Sequence, residues 1–212
     1  MKYKWLTSCI LILLLVNLNG CVNIKSTSPK INVFQLKQSE LPKFDDNRIN
    51  KSIFIKNFSI KTELSSEKIV IIEDDINVVK CNYHLWNVPL DEMLTDFAID
   101  RMSKYKIFTE GVVSSTTMLP DIVLECRIID CSINNYIEKK TANSVGLSIA
   151  ANVYAAKKGE PEFVTIFSEV YTKNLLRPDN TISSAIDVMS ECASEIIDDI
   201  TKDIQKHIDN KS

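Results

Sequence analysis

The chain has 212 residues, so one domain with an extension is a more economical reading than two domains of about 150 residues each. With 45% hydrophobic and 25% charged residues, 4 Gly and 6 Pro, it can bury a core and falls outside the disordered and collagen-like classes. A formal charge of -3 leaves no basic footprint for neutralising phosphates, which argues against DNA and RNA as partners.

Residues 1–20 open with Lys2 and Lys4 and continue in an apolar run from Leu6 to Val16, interrupted only by Thr7, Ser8 and Cys9. That is the shape of a signal peptide. The run is shorter than the roughly 20 apolar residues needed to cross a ~30 Å hydrocarbon core, so export is expected rather than a spanning anchor. It ends in Leu18-Asn19-Gly20-Cys21, which resembles the lipobox of bacterial lipoproteins. The resemblance implies that Cys21 is acylated and becomes the new N-terminus. At about 0.8 kcal/mol per buried CH₂, several acyl chains far exceed the marginal hold of one. Val22 stands where an Asp would be the usual inner-membrane retention signal, so the resemblance also implies sorting to the outer membrane, periplasmic face. Loss of residues 1–20 removes two lysines, leaving 23 basic against 28 acidic residues, a charge of -5. An anionic bilayer does not attract such a chain by charge, so the lipid must hold it there.

Residues 21–31 read as the acylated cysteine and a short polar tether, Lys25-Ser26-Thr27-Ser28-Pro29-Lys30 being broken by proline. Ten extended residues span at most about 36 Å, so the single domain expected over 32–212 is held close to its membrane.

Within that domain, β-type runs are expected at Val33–Leu36, Ile53–Ile60, Ile69–Glu73 and Asn77–Tyr83, the last two forming a hairpin through Glu73-Asp74-Asp75. Leu90, Met93, Leu94, Phe97, Ala98, Met102 and Tyr105 have the three-four spacing of one helical face, with start signals at Asn87 and Pro89. Ile107–Val113 and Asp121–Ile133 return to strand character. Val145, Leu147, Ile149, Ala151, Val153 and Ala155 alternate with smaller or polar residues, predicting a strand with one buried face. Lys157-Lys158-Gly159-Glu160 then turns the chain into an antiparallel strand over Phe163–Lys173, and Arg177-Pro178-Asp179-Asn180 breaks it. A final helix is expected from Ser183, as N-cap, to His207, roughly 37 Å long. The fold class is therefore α/β (α+β), a two-layer sandwich of an antiparallel or mixed sheet packed against two main amphipathic helices.

Residues that carry chemistry do not converge on a reaction. His207 lies in a terminal helical turn, where a cation favours the dipole. His84 sits near a junction with no nucleophile elbow in sequence, and Gly146 and Gly159 fall in a strand and a turn rather than a phosphate-cradling loop. The acidic pairs Asp45-Asp46, Asp74-Asp75 and Asp198-Asp199 lack calcium-loop spacing and read as solvated turns or faces. The pairing of Cys81, Cys126, Cys131 and Cys192 is left open by sequence. Cys126 and Cys131 cannot bridge if one regular strand holds them about 16 Å apart. No Cys-x-x-Cys is present to suggest zinc. No enzyme, metal or cofactor is expected.

The most distinctive stretch runs from Val78 to Leu94, VVKCNYHLWNVPLDEML. It is similar to the signature of the ABC-type transport auxiliary lipoproteins, the family of paraquat-inducible protein C that accompanies MCE-domain lipid-transport systems. The matching positions are Tyr83, Trp86, Pro89, Met93 and Leu94. The early strand with Phe34 and Leu36, the Lys106-Ile107-Phe108 link, the Asp121–Leu124 strand, the hairpin and the long closing helix agree in order. Taken by themselves, these residues predict a structural corner: Tyr83 and Trp86 bury their rings, and Pro89 fixes the first helical turn. The resemblance implies a non-catalytic auxiliary of an ABC/MCE-type intermembrane lipid-transport system. Its partner would be an MCE-domain protein and, through it, an ABC permease and ATPase. An envelope-assembly or cell-wall-synthase activating lipoprotein is the alternative, and an apolar-ligand carrier would need a cavity large enough for acyl chains. Sequence leaves open whether the domain is a homo-oligomer.

Overall fold

A computed structural model describes residues 29–44, 48–62, 64–113, 115, 119–137, 142–157 and 162–209. The expected signal peptide, Cys21, most of the expected tether, Asp45-Asp46 and positions 158–160 of the expected turn lie outside the described residues. The elements in chain order are β1 (Asn32–Phe34), β2 (Ile53–Ile55), β3 (Ser59–Ile60), β4 (Lys68–Glu73), β5 (Asn77–Trp86), α1 (Leu90–Tyr105), β6 (Val112–Val113), β7 (Ile122–Asn135), β8 (Ser144–Ala156), β9 (Phe163–Leu176) and α2 (Ile182–Asp209).

The strands form one mixed sheet organised around β7. Along one edge, β7 pairs antiparallel with β8, from Ile122 opposite Ala155 to Asn134 opposite Ser144. Its other edge is shared in series by β2, β3 and β4, all parallel to it. β5 returns antiparallel to β4, β1 lies parallel to the end of β5, β6 is parallel to β2, and β9 closes the far side against β8. Period-two alternation explains the buried face. Leu124, Cys126, Ile128 and Ile133 on β7 stand opposite Val153, Ala151, Ile149 and Val145 on β8, all buried. The opposite face is polar, with Ser148 and Thr172 hydroxyls 2.8 Å apart. Gly146 allows a close approach there, since a Cβ at this position would stand 2.7 Å from Ser132 Oγ.

Both helices cover the apolar face. α1 buries Leu90, Met93, Leu94, Phe97, Ala98 and Met102, carries Asp91 and Glu92 in its first turn, and ends where Lys106 adopts φ 56°. α2 buries Ile186, Met189, Ala193, Ile196, Ile197, Ile200 and Ile204; each fully buried Ile side chain stabilises by roughly 1.5–3 kcal/mol. Its cap is Thr181 rather than Ser183. Thr181 Oγ1 accepts the Ser184 amide (3.1 Å) and its carbonyl accepts the Ala185 amide (3.1 Å), while Asp179 Oδ1 holds Thr181 through its amide and hydroxyl.

Two expected strands are shorter than their composition suggests. Ile53–Ile60 is split into β2 and β3 because Phe58 turns inward and donates its amide to Thr95 Oγ1 on α1 (2.9 Å). Ile107–Val113 reduces to a bridge between Phe108 and Ile49 plus β6, because a turn at Thr109-Glu110 leads into Gly111 at φ 91°.

Candidate functional site

The stretch that carries the resemblance forms a socket for the N-terminal segment. Trp86 ends β5, only 4% exposed, and donates its amide to the Glu67 carbonyl (2.6 Å). It stands opposite Phe34 of β1, whose carbonyl accepts the Asn87 amide (2.8 Å). Pro89 occupies the cap position of α1, its carbonyl accepting the Met93 amide (3.0 Å), and Met93 Sδ accepts the Leu36 amide (3.3 Å). Leu94 is fully buried. Tyr83 departs from the expectation of a buried ring, being 48% exposed. The reason is local: β1 begins at Asn32 opposite His84, so among the described residues no strand flanks that edge of β5 at Tyr83.

Beyond β1, residues 35–44 run as an extended strap over the helices. Ser190 Oγ accepts the Lys37 amide (3.0 Å) and Ser194 Oγ the Ser39 amide (3.3 Å). Two extended residues rise about 6.6 Å and four helical residues about 6 Å, so alternate strap amides match hydroxyls one turn apart on α2. Gln38 Nε2 donates to the Phe97 carbonyl and Asp100 on α1 (3.2 and 2.6 Å).

Beneath the strap lies a buried polar cluster. Arg101 on α1 is fully buried and donates Nε and Nη2 to the two carboxylate oxygens of Asp198 on α2 (2.6 and 2.8 Å). It also donates Nη1 to the Ser39 carbonyl (3.0 Å) and Nη2 to the Glu40 carbonyl (3.2 Å). Tyr105 donates its hydroxyl to Asp198 and packs against Phe44, ring centroids 4.3 Å apart. Asp198 is thus no solvated face residue, contrary to the reading of the Asp198-Asp199 pair. Burial works against the Arg101 charge, but hydrogen bonding to Asp198 outweighs it and holds the guanidinium above its ordinary range. Burial together with the Asp198 carboxylate pushes the Tyr105 phenol up. Every member is neutralised or saturated by its neighbours, and the cluster works as a clamp on strap and helices.

The remaining reactive groups are dispersed. His84 stacks on Phe34 (5.8 Å), and His207 packs on Phe167 (4.9 Å) with Nδ1 2.8 Å from the Asp203 carbonyl. Cys81 is half-buried and Cys126, Cys131 and Cys192 are buried, all four as free thiols. Burial pushes Cys131 and Cys192 up to about 12, with Asp130 beside the first and Glu195 beside the second adding to it. Among the described residues no group of three or more His, Cys, Asp or Glu could hold a metal, and no helix is long and apolar enough to cross a membrane.

Open grooves lie along the described residues, and two of them bear on ligand binding. One, about 300 Å³, lies between strap and α1 and includes Leu36, Met93, Asp96, Phe97 and Asp100. The other, about 430 Å³, is lined by Lys56, Val123, Glu125, Tyr154 and Phe163 at the end of the sheet where β7 begins. There Lys56 pairs with Glu125 (3.5 Å), which also accepts the Tyr154 hydroxyl (3.4 Å). Charged groups line both, so neither is the dry apolar cavity an acyl-chain carrier requires.

No protein-family model matches the chain, and no curated protein does. Its fold is similar to protein XCC0632 from Xanthomonas campestris, of the DUF330 family, with a TM-score of 0.70 and 9% identity over 85% of this chain and 100% of that one. An uncharacterized protein matches with a TM-score of 0.58 and 15% identity over 83% and 99% of the two chains. The hypothetical protein CT253 from Chlamydia trachomatis matches with a TM-score of 0.52 and 10% identity over 76% and 98%. At such identities the likeness establishes the fold: a mixed sheet packed against two amphipathic helices.

Proposed function

We propose that the chain is a lipoprotein acylated on Cys21, held at the periplasmic face of the outer membrane, and that it serves as a non-catalytic auxiliary of an ABC/MCE-type intermembrane lipid-transport system. The observation that carries this reading is the coincidence of the Tyr83–Leu94 stretch with the socket that receives the N-terminal segment, within a fold shared with a DUF330 protein over 85% of the chain. A protein whose anchor enters at its N-terminus needs that segment fastened to the body. Here β1, the strap and the Arg101–Asp198 clamp do the fastening. The dispersal of reactive groups supports adhesion rather than catalysis, with the groove beside Tyr154 and Phe163 as the surface offered to the MCE-domain partner.

Two measurements test the reading. Mass spectrometry of the mature N-terminus is expected to find fatty acid on Cys21, with maturation blocked by globomycin. Mild in-cell crosslinking followed by pull-down of the full chain is expected to recover an MCE-domain protein. Recovery of wall synthases in its place would favour an envelope-assembly role, and a freely secreted product without fatty acid would overturn the anchor.

A further inference from the structure

β9 is an edge of the sheet: among the described residues it pairs with β8 and no other strand. The ladder decides which of its backbone groups are left over. The Arg177 amide donates to the Asn143 carbonyl (2.9 Å) and Leu176 stands opposite Ser144, so the odd-numbered residues back to Phe167 exchange their hydrogen bonds with β8. Ser168, Val170, Thr172 and Asn174 therefore turn their amides and carbonyls outward, over about 20 Å of edge. Nothing blunts this stretch in the usual ways. β9 is 14 residues long with no proline, its register shift lies ahead of Phe167, and Val170 is 58% exposed. The other open edge, β5 from Asn77 to Tyr83, is shorter and adjoins a register shift, and its one charged residue is Lys80.

A row of carboxylates follows β9. α2 runs antiparallel beside the strand: Phe167 packs on His207 (4.9 Å), Tyr171 donates its hydroxyl to Asp203 (2.7 Å), and Lys173 reaches Glu195 and Asp199 (3.1 and 2.9 Å). Asp187, Glu191, Glu195, Asp199 and Asp203 recur at every fourth position of α2, a ridge about 24 Å long. Glu169, exposed on the same face of β9 as Tyr171 and Lys173, adds a sixth carboxylate at the edge itself. Against Lys173, Lys202 and Lys206 these leave a charge of -3. One helical turn rises about 5.4 Å and two extended residues about 6.6 Å, so a strand laid beside β9 directs every second side chain at the ridge. The strap already makes the same match to Ser190 and Ser194 on another face of α2. A second copy would bring an identical ridge of like charge, which opposes self-pairing.

We infer that the outer edge of β9 receives an extended segment of a partner protein as a further strand, one with lysine or arginine at alternate positions that meet Glu169 and Asp203. The outward backbone groups of β9 supply the hold, and the carboxylates select the segment. This goes beyond the proposed function and does not depend on acylation of Cys21. It is continuous with the surface given there to the partner, since Phe163 of that groove begins the same strand.

The test uses the full chain purified in detergent and a fluorescein-labelled decapeptide of alternating lysine and threonine, followed by fluorescence anisotropy. Peptides alternating glutamate with threonine, and lysine with proline, serve as controls; the second keeps the charge but cannot form a ladder. Val170→Pro removes an outward amide and leaves the bonds to β8 intact. Saturable binding of the lysine–threonine peptide is expected, about tenfold weaker with Val170→Pro and about threefold weaker with Glu169→Lys. Neither control peptide is expected to saturate. Hydrogen exchange on the unaltered chain keeps the outcome independent of how Val170→Pro folds: bound peptide is expected to slow the amides of Val170 and Thr172. Equal binding of the lysine–proline peptide, or unchanged exchange at Val170 and Thr172, would reduce the contact to surface charge and overturn strand addition. Absence of saturable binding overturns it as well. Self-association of the chain that Val170→Pro abolishes, with no peptide bound, would place a second copy on the edge and overturn the basic partner.

Discussion

Arg101 and Asp198 close a two-pronged salt bridge between α1 and α2, with N–O distances of 2.6 and 2.8 Å and the arginine side chain wholly buried. Such a pair recovers in Coulomb attraction and hydrogen bonding what it loses in desolvation, and breaking one side leaves the other charge stranded. Arg101→Met is therefore expected to cost about 3–5 kcal/mol in urea unfolding. The double variant Arg101→Met, Asp198→Leu is expected to recover most of that loss. Strap binding separates the two variants from a purely apolar repacking, because both lose the Arg101 donors to the Ser39 and Glu40 carbonyls.

The strap itself makes a second prediction. Ser190 and Ser194 are buried hydroxyls that accept the Lys37 and Ser39 amides, so replacing both with alanine leaves two amides without partners. A loss of about 1 kcal/mol per bond is expected, together with faster hydrogen exchange at Lys37 and Ser39 and little change in the centre of β7. Equal acceleration throughout the sheet would mean that strap and body unfold as one unit.

Much of this architecture is legible locally. Helical spacing from Leu90 to Tyr105 and strict alternation from Val145 to Val153 coincide with α1 and with the buried face of β8, because each pattern is a property of contiguous residues. The parallel pairings of β2, β3 and β4 with β7 involve two or three residues each and join segments far apart in sequence, so no short-range pattern announces them. Asp198 shows the same limit: its partner lies 97 residues away, and an acidic pair on a helix otherwise reads as solvated. Tyr83 departs from its expected burial because that burial depends on a neighbouring strand whose starting residue, Asn32, sequence does not reveal. The socket for the N-terminal segment could have been suspected from Phe34, Leu36 and the Trp86-to-Leu94 stretch together, though only the register shows that they meet.

Arg177 makes a prediction of opposite sign. Its side chain is buried and Nη2 donates to Asn135 Oδ1 (2.7 Å), but among the described residues Nε and Nη1 have no partner. Burial lowers the guanidinium below its ordinary range, and Asp179 offsets this only in part. Orphan buried donors cost more than one hydrogen bond returns. Arg177→Met keeps the backbone amide that donates to the Asn143 carbonyl and is expected to stabilise by about 1–2 kcal/mol, measured as a rise in urea midpoint. A fall of similar size would show that the guanidinium has a partner in solution.

Asp121 contributes to the acid limb of stability. Placed just ahead of β7, its Oδ2 accepts both the amide and the hydroxyl of Ser52 (2.9 and 2.8 Å), while Ser52 accepts the Asp121 amide and supplies its carbonyl to Ile122. Partial burial raises the carboxyl pKa, but the Ser52 hydrogen bonds and the charge of Lys51 outweigh it and hold the folded-state value below the usual range. A depressed folded-state value means that the unfolded chain binds the proton first as pH falls. The stabilisation is thus fully present above about pH 4–5 and is lost as pH drops through the folded-state value. Asp121→Asn keeps a carbonyl acceptor toward Ser52 but has no charge to titrate. Urea midpoints at pH 7 and pH 3 are expected to show a deficit for Asp121→Asn at pH 7 that narrows at pH 3. A deficit unchanged between the two would assign the contribution to hydrogen-bond geometry rather than to the carboxylate charge.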